Sequence, residues 1–201
     1  MKNKFNNILA VMLLGQLAAC ASLPPNVPDE QVADSDLILI HQDNTVRLYA
    51  RPGFDPLHFG EYALDRVEVQ VAAAVNAQQK AEQEQLGAEL QAQLKQLITV
   101  HDSATRLNMN IRLHDIKPVT PAFNMVSIVL AFVPLDTGAM TVDTTYRDAA
   151  GRIQVRRIER LSGSIFNIKA SFSEYGQHKI VLSEWAQHCA IMVACLSKSA
   201  E

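Results

Sequence analysis

The side chains of this chain that could do chemistry are three cysteines, six histidines, a serine pair about a glycine, and a cluster of arginines. Spacing decides what each can do. His41, His58, His101, His114, His178 and His188 are spread singly, and no two have the separation by which one helix presents two imidazoles to a zinc ion. Only His188 adjoins a thiol, that of Cys189, so no metal centre is expected. Ser162 and Ser164 flank Gly163, the reverse of the Gly-x-Ser-x-Gly turn that exposes a nucleophile, and the stretch reads as a loop. The glycines stand apart and build no phosphate cradle, so neither a nucleotide nor another cofactor is expected. No catalytic residue emerges. Arg152, Arg156, Arg157 and Arg160 are the candidate binding strip, able to meet an acidic glycan, a phospholipid head or an acidic protein. Glu159 and Asp148 lie among them, and an edge strand guarded against aggregation is the plainer reading.

The third thiol, Cys20, has a different setting. Lys2 and Lys4 give a basic start, Phe5 to Gln16 is mostly apolar, and Leu17, Ala18 and Ala19 supply the small residues of a cleavage site. The apolar run is short of the about 20 residues that span a bilayer, so an export signal is expected rather than a retained helix. Leu17-Ala18-Ala19-Cys20 resembles the lipobox of bacterial lipoproteins. That resemblance implies that residues 1–19 are a signal peptide, that Cys20 becomes the first residue and carries the lipid, and that its amine is acylated, palmitate being the typical chain. Several chains hold firmly, because each buried methylene contributes about 0.8 kcal/mol. Ala21, in place of Asp, implies sorting to the outer membrane on its periplasmic side. An ordinary secretory signal that merely contains Cys is the alternative. Residues 20–36 read as an extended, solvated tether, with Pro24, Pro25 and Pro28 among Asp29, Glu30, Asp34 and Asp36.

The rest suits one domain over 37–197. With 18 basic and 21 acidic side chains and no block of like charge in the body, no nucleic-acid partner is implied. Cys189 and Cys195 would meet an oxidising periplasm. A single helix through both would hold them about 9 Å apart along its axis, beyond a disulfide's reach, so packed free thiols are expected unless the helix ends before Cys195.

Residues 36–41 and 45–50 read as two strands about a turn, and 62–71 as a half-buried strand with Val67, Val69 and Val71 in alternation. From Asn76 to Ile98 the period becomes 3.6, with Leu86, Leu90, Leu94 and Leu97 as the apolar stripe of a helix. Residues 106–114 alternate strictly, Leu107, Met109, Ile111 and Leu113 against Arg106, Asn108, Asn110, Arg112 and His114. The continuous apolar run 125–133, between Pro121 and Pro134, reads as a buried strand at the core's centre, a helical turn being the alternative. Residues 138–147 and 152–161 form a hairpin about Asp148–Gly151, with Ile158 one residue out of phase and a bulge expected near Arg156 and Arg157. A closing helix over 173–197 carries Leu182, Trp185, Cys189, Met192 and Leu196, with Trp185 expected as a core anchor. The fold class is α+β, a mainly antiparallel or mixed sheet with two long helices on one face.

The lipobox, the stretch RLYARPGFDPLHFGEYALDRVEV, LNMNIRLHDIKP, the hairpin DTTYRDAAGRIQVRR and the closing SEWAQHCA together resemble a bacterial lipoprotein family catalogued as domain of unknown function 3313. The resemblance spans residues 37–197 and supplies no activity. The functional expectation is therefore a lipid-anchored envelope protein that is not an enzyme and acts by non-covalent binding or assembly with an envelope protein. An auxiliary lipoprotein of an envelope transporter, an activator of a cell-wall enzyme, and an envelope hydrolase are the alternatives.

Overall fold

The computed structural model divides the chain into two units, Met1–Gln31 and Val32–Glu201, and describes residues 36–59, 61–73, 75–98, 106–131 and 133–198, all within the second. The signal peptide, the lipobox Leu17, Ala18, Ala19 and Cys20, and the tether up to residue 35 lie outside the described residues.

Among the described residues, six strands form one mixed sheet. They are β1 (Ile38–Gln42), β2 (Val46–Ala50), β3 (Glu61–Val69), β4 (Arg106–Lys117), β5 (Ala139–Arg147) and β6 (Ile153–Ser162), in the spatial order β1-β2-β6-β5-β4-β3. β3 and β4 run parallel and every other pair is antiparallel. The parallel pair needs a crossover, and helix α1 (Ala77–Leu97) supplies it. Its start is a capping box: the Asn76 side chain accepts from the Gln79 N–H at 2.9 Å, and the Gln79 side chain accepts from the Asn76 N–H at 3.3 Å. Gly87 lets α1 press on β3, since a Cβ there would stand 2.4 Å from Cγ2 of Val69. The buried stripe is Leu86, Leu90 and Leu94, continued by Ile98, whereas Leu97 is exposed.

The closing helix, here α3 (Gly176–Lys198), lies beside α1 on the same face. Between the helices and the sheet sits the core: Leu107, Met109, Ile111 and Leu113 of β4, Met140, Val142 and Tyr146 of β5, and Leu182, Trp185 and Cys189 of α3. Polar pins tie the helices together, Gln83 donating to the Tyr175 hydroxyl at 3.2 Å and Lys179 pairing with Glu89 at 2.9 Å. The α+β class, the mixed sheet and the two long helices on one face are thus observed. Because α3 runs through 189 and 195 to Lys198, the packed-thiol reading holds for Cys189, which is free and buried.

Two expectations are corrected. The run at 125–133 is not a strand; residues Pro121–Ala131 form a third helix, α2, and it lies outside the main core. Proline suits a first helical position. Asn124 and Ser127, three apart, fall on one face of a helix but on opposite faces of a strand, and both are buried against the loop that follows. The bulge, too, is displaced. The register between β5 and β6 shifts at Tyr146/Arg147, leaving Gln154 as the extra residue, held by a 2.8 Å bond from its amide to Asp148. Ile158 needs no bulge: it pairs with Asp143 on the other face of the sheet from Val155, and it is buried there.

Candidate functional site

The candidate arginines do not share a surface. Arg152 sits in the hairpin turn with its guanidinium 2.8 Å from Asp148. Arg157 points to the helical side, 2.7 Å from Glu159 and 3.4 Å from the Met192 sulfur. Arg156 and Arg160 share the face that the long helices leave open, together with Asn108, Asn110 and Arg112 of β4. There Arg156 meets Asp143 through two bonds of 3.0 and 2.7 Å, and Arg112 reaches the same carboxylate at 2.7 Å. Burial alone would raise the Asp143 pKa, yet the hydrogen bonds and charges of Arg156 and Arg112 outweigh it and hold this carboxylate below its ordinary range. One of the four predicted arginines, Arg156, therefore works with Arg112 in a cross-strand Arg–Asp–Arg cluster, a cluster of the sheet interior more than a free basic strip.

Helix α2 is a more informative surface. Its inward face is polar. Asn124, fully buried at 0% exposure, donates to the Asp136 carbonyl at 2.6 Å and the Ser171 carbonyl at 3.2 Å, and its Oδ1 accepts from the Asp136 N–H at 2.8 Å. The Ser127 hydroxyl donates to the Val133 carbonyl at 3.1 Å and accepts from the Leu135 N–H at 3.3 Å. Phe123, Met125, Val126, Val129 and Leu130 take the outward positions, with Val129 73% and Leu130 77% exposed. The 3-10 turn Ile168–Phe172 packs beside α2, and the loop leading into it leaves Phe166 85% exposed. α2 carries no acidic residue in its first turn and no basic residue in its last. It is a helix with its apolar side out, and scattered single apolar residues do not account for it.

A second feature lies at the far end of the sheet, between β1–β2 and the last turns of α3. An apolar groove of about 470 Å³ runs past Ile38, Ile40, Leu48, Phe54 and Val193. It adjoins a more polar cavity of about 400 Å³ bounded by Thr144, Glu159, Glu184, Trp185 and His188, and Tyr146, Arg157 and Met192 line both. Glu159 is the hub of the inner part, accepting from the Trp185 indole at 2.6 Å and from Arg157 at 2.7 Å. Trp185 is thus a core anchor with one polar bond.

The remaining chemical candidates are accounted for by packing. Burial pushes the Cys189 thiol up to about 11, which leaves it protonated and a poor nucleophile at neutral pH. His178 is buried, its Nε2 3.3 Å from the Ala139 carbonyl, and burial lowers its pKa. Ser162 ends β6, and Gly163 and Ser164 follow in a loop as expected. Among the described residues no three His, Cys, Asp or Glu side chains converge on one point, and no helix is long and apolar enough to cross a membrane. Neither α2's outward face nor the recess was found by sequence reasoning. The available signal was the spacing of Asn124 and Ser127 inside an apolar run.

No family model matches the chain, and no curated protein matches it. Among solved structures, a PelC dodecamer from Paraburkholderia phytofirmans is similar in two crystal forms. The point variant in space group C2 has 10% identity and a TM-score of 0.37, covering 71% of this chain and 94% of that one. The form in space group P6 has 9% identity and a TM-score of 0.36, covering 71% and 96%. At these TM-scores the likeness carries no argument.

Proposed function

We propose that this chain is a lipid-anchored protein of the bacterial cell envelope, attached through Cys20 to the outer membrane on its periplasmic side, and that it acts by non-covalent assembly with an envelope protein that docks on α2. The family resemblance of the sequence agrees with this reading. The observation that carries it is the inverted helix: Asn124 and Ser127 turned inward, Phe123, Val126, Val129 and Leu130 turned out. Each such side chain gains about 1.5–3 kcal/mol when fully buried, so a surface that leaves several of them beside Phe166 favours a cover. A protein fits better than the bilayer surface. Helices that lie in a membrane interface keep Lys or Arg on a polar face toward the headgroups, whereas α2 spends its polar face on bonds inside its own domain. Interface cores, by contrast, are depleted of charge and enriched in Phe and Met, as this face is.

The test places a photocrosslinking residue at Val129 or Leu130 in intact cells, with mass spectrometry of the adduct. A discrete protein adduct is expected; adducts to lipid alone, or none, overturn the docking. Anchoring has a separate control, since Cys20→Ala is expected to lose its place in the membrane fraction.

A further inference from the structure

The recess at the β1–β2 end is independent of α2 and has its own chemistry. Three buried polar atoms without a hydrogen-bond partner among the described residues belong to side chains that line it: the Tyr62 hydroxyl, the Thr144 hydroxyl and Nε of Arg157. Tyr62 and Arg157 line the apolar groove; Thr144 and Arg157 line the inner cavity. Unpaired buried groups of this kind are uncommon and costly, and all three can donate, so the complementary occupant offers hydrogen-bond acceptors along the groove and the cavity it opens into.

Charge narrows the occupant further. The Arg157 guanidinium is answered by Glu159 at 2.7 Å, and Glu184 adds a second carboxylate to the cavity wall. An anionic head would enter between two carboxylates with no uncompensated cation to receive it. The acceptors must therefore come from a neutral group. Outward, Ile38 and Ile40 stay 52% and 54% exposed beside Leu48 and Phe54, an apolar wall that would cover a hydrocarbon chain. The two volumes lie within the roughly 300–1,000 Å³ usual for small-molecule sites, which pair apolar walls with a few placed polar groups.

We propose that this recess binds a neutral single-chain acyl ester of the monoacylglycerol type, its chain along Ile38 and Ile40 and its ester and glycerol oxygens at Tyr62, Thr144 and Arg157. The inference goes beyond the assembly reading and does not depend on it.

The chain carries its own reporter, because Trp185 is its one tryptophan and borders the cavity. The full-length lipidated protein, exchanged from detergent into amphipol, is titrated with monooleoylglycerol and, separately, with oleate, reading Trp185 emission and confirming stoichiometry by native mass spectrometry. A saturable response to the ester is expected, with oleate at least about tenfold weaker, a difference of about 1.4 kcal/mol. Ile40→Glu and Met192→Glu should each weaken ester binding by roughly tenfold or more, as a charge placed on an apolar wall must. Circular dichroism confirms that both variants fold, and Ile40 is already half exposed. No saturable response to the ester overturns the proposal, and so does undiminished binding in both variants. Oleate binding as tightly as the ester overturns the neutral-head assignment. None of these results bears on crosslinking from α2, so the two readings fail separately.

Discussion

Helices α1 and α2 obey the same 3.6-residue period and turn opposite faces to the domain. α1 is 21 residues long, buries Leu86, Leu90 and Leu94 with Gln83 beside them, and gives water its charges and several of its other glutamines. α2 is 11 residues long, buries Asn124 and Ser127, and gives water Phe123, Val126, Val129 and Leu130. The first is held by apolar area and the second by hydrogen bonds. An apolar helix whose buried side chains, among the described residues, are both polar is matched to two different neighbours: its own loop on one side and a non-aqueous cover on the other. The difference teaches that period alone reports a face, and that the identity of the face's neighbour has to be read from the bonds its polar residues make.

The largest expected effect breaks the apolar side of this comparison. Leu94→Ala removes a side chain with 0% exposure from the centre of the core and should cost about 2–5 kcal/mol, measured by denaturant unfolding. The polar side comes next. Asn124→Ala strands the Asp136 N–H and two carbonyls at once, and should cost about 1–3 kcal/mol while releasing α2 to early proteolysis. If Asn124→Leu instead stabilised the domain, the hydrogen-bonded account of α2 would be wrong. Gly138→Ala belongs in the same range, about 1–3 kcal/mol: its φ is +67°, and a Cβ would meet the Lys117 carbonyl at 2.9 Å and the His178 ring at 2.6 Å.

The same contrast explains what was legible in the sequence. β4 could be read because Leu107, Met109, Ile111 and Leu113 alternate with polar residues, and α1 because its stripe is apolar against a polar ground. The hairpin was legible from turn chemistry at Asp148–Gly151. α2 was not, since nine of its eleven residues are apolar or proline and a run of one kind has no phase. Only Asn124 and Ser127 carry phase, and their inward direction follows from Asp136, a partner in the next loop. The arginines were misgrouped for a related reason. Neighbours along a strand point to opposite faces, so Arg156 and Arg157 part company, and Arg156 finds Arg112 from 44 positions earlier only once β5 lies between them. The recess, assembled from six strands and a helix, has no local signature at all.

A smaller effect should follow from pH, and its sign can be worked out. Burial holds the His178 pKa below the ordinary 6.5, so between those two values the unfolded chain binds more protons than the fold. Stability is therefore complete above about 6.5 and declines as pH falls through this window. Asp143 acts lower down: its folded pKa is depressed, so its contribution is present above 3.8 and is lost as pH drops toward the folded value. Melting temperatures measured from pH 7.5 to 3 should fall in two stages, and His178→Gln should flatten the upper one. A melting temperature that rose between pH 6.5 and 5 would contradict the assigned direction.

The smallest expected effect on stability is also the sharpest test of the comparison. Leu130→Ser changes a side chain that is 77% exposed, and a surface change away from bonds or packing should move unfolding by no more than about 0.5 kcal/mol. The equivalent change on α1, Leu90→Ser, would unfold much of the core, because Leu90 is 2% exposed and the serine hydroxyl would be stranded there. If α2's outward face exists to be covered, Leu130→Ser and Val129→Ser should leave the melting curve in place and abolish the crosslink to the envelope partner. Variants that lost stability as the α1 variants do would show that α2's outward face is already covered within this domain, and the docking reading would go with it.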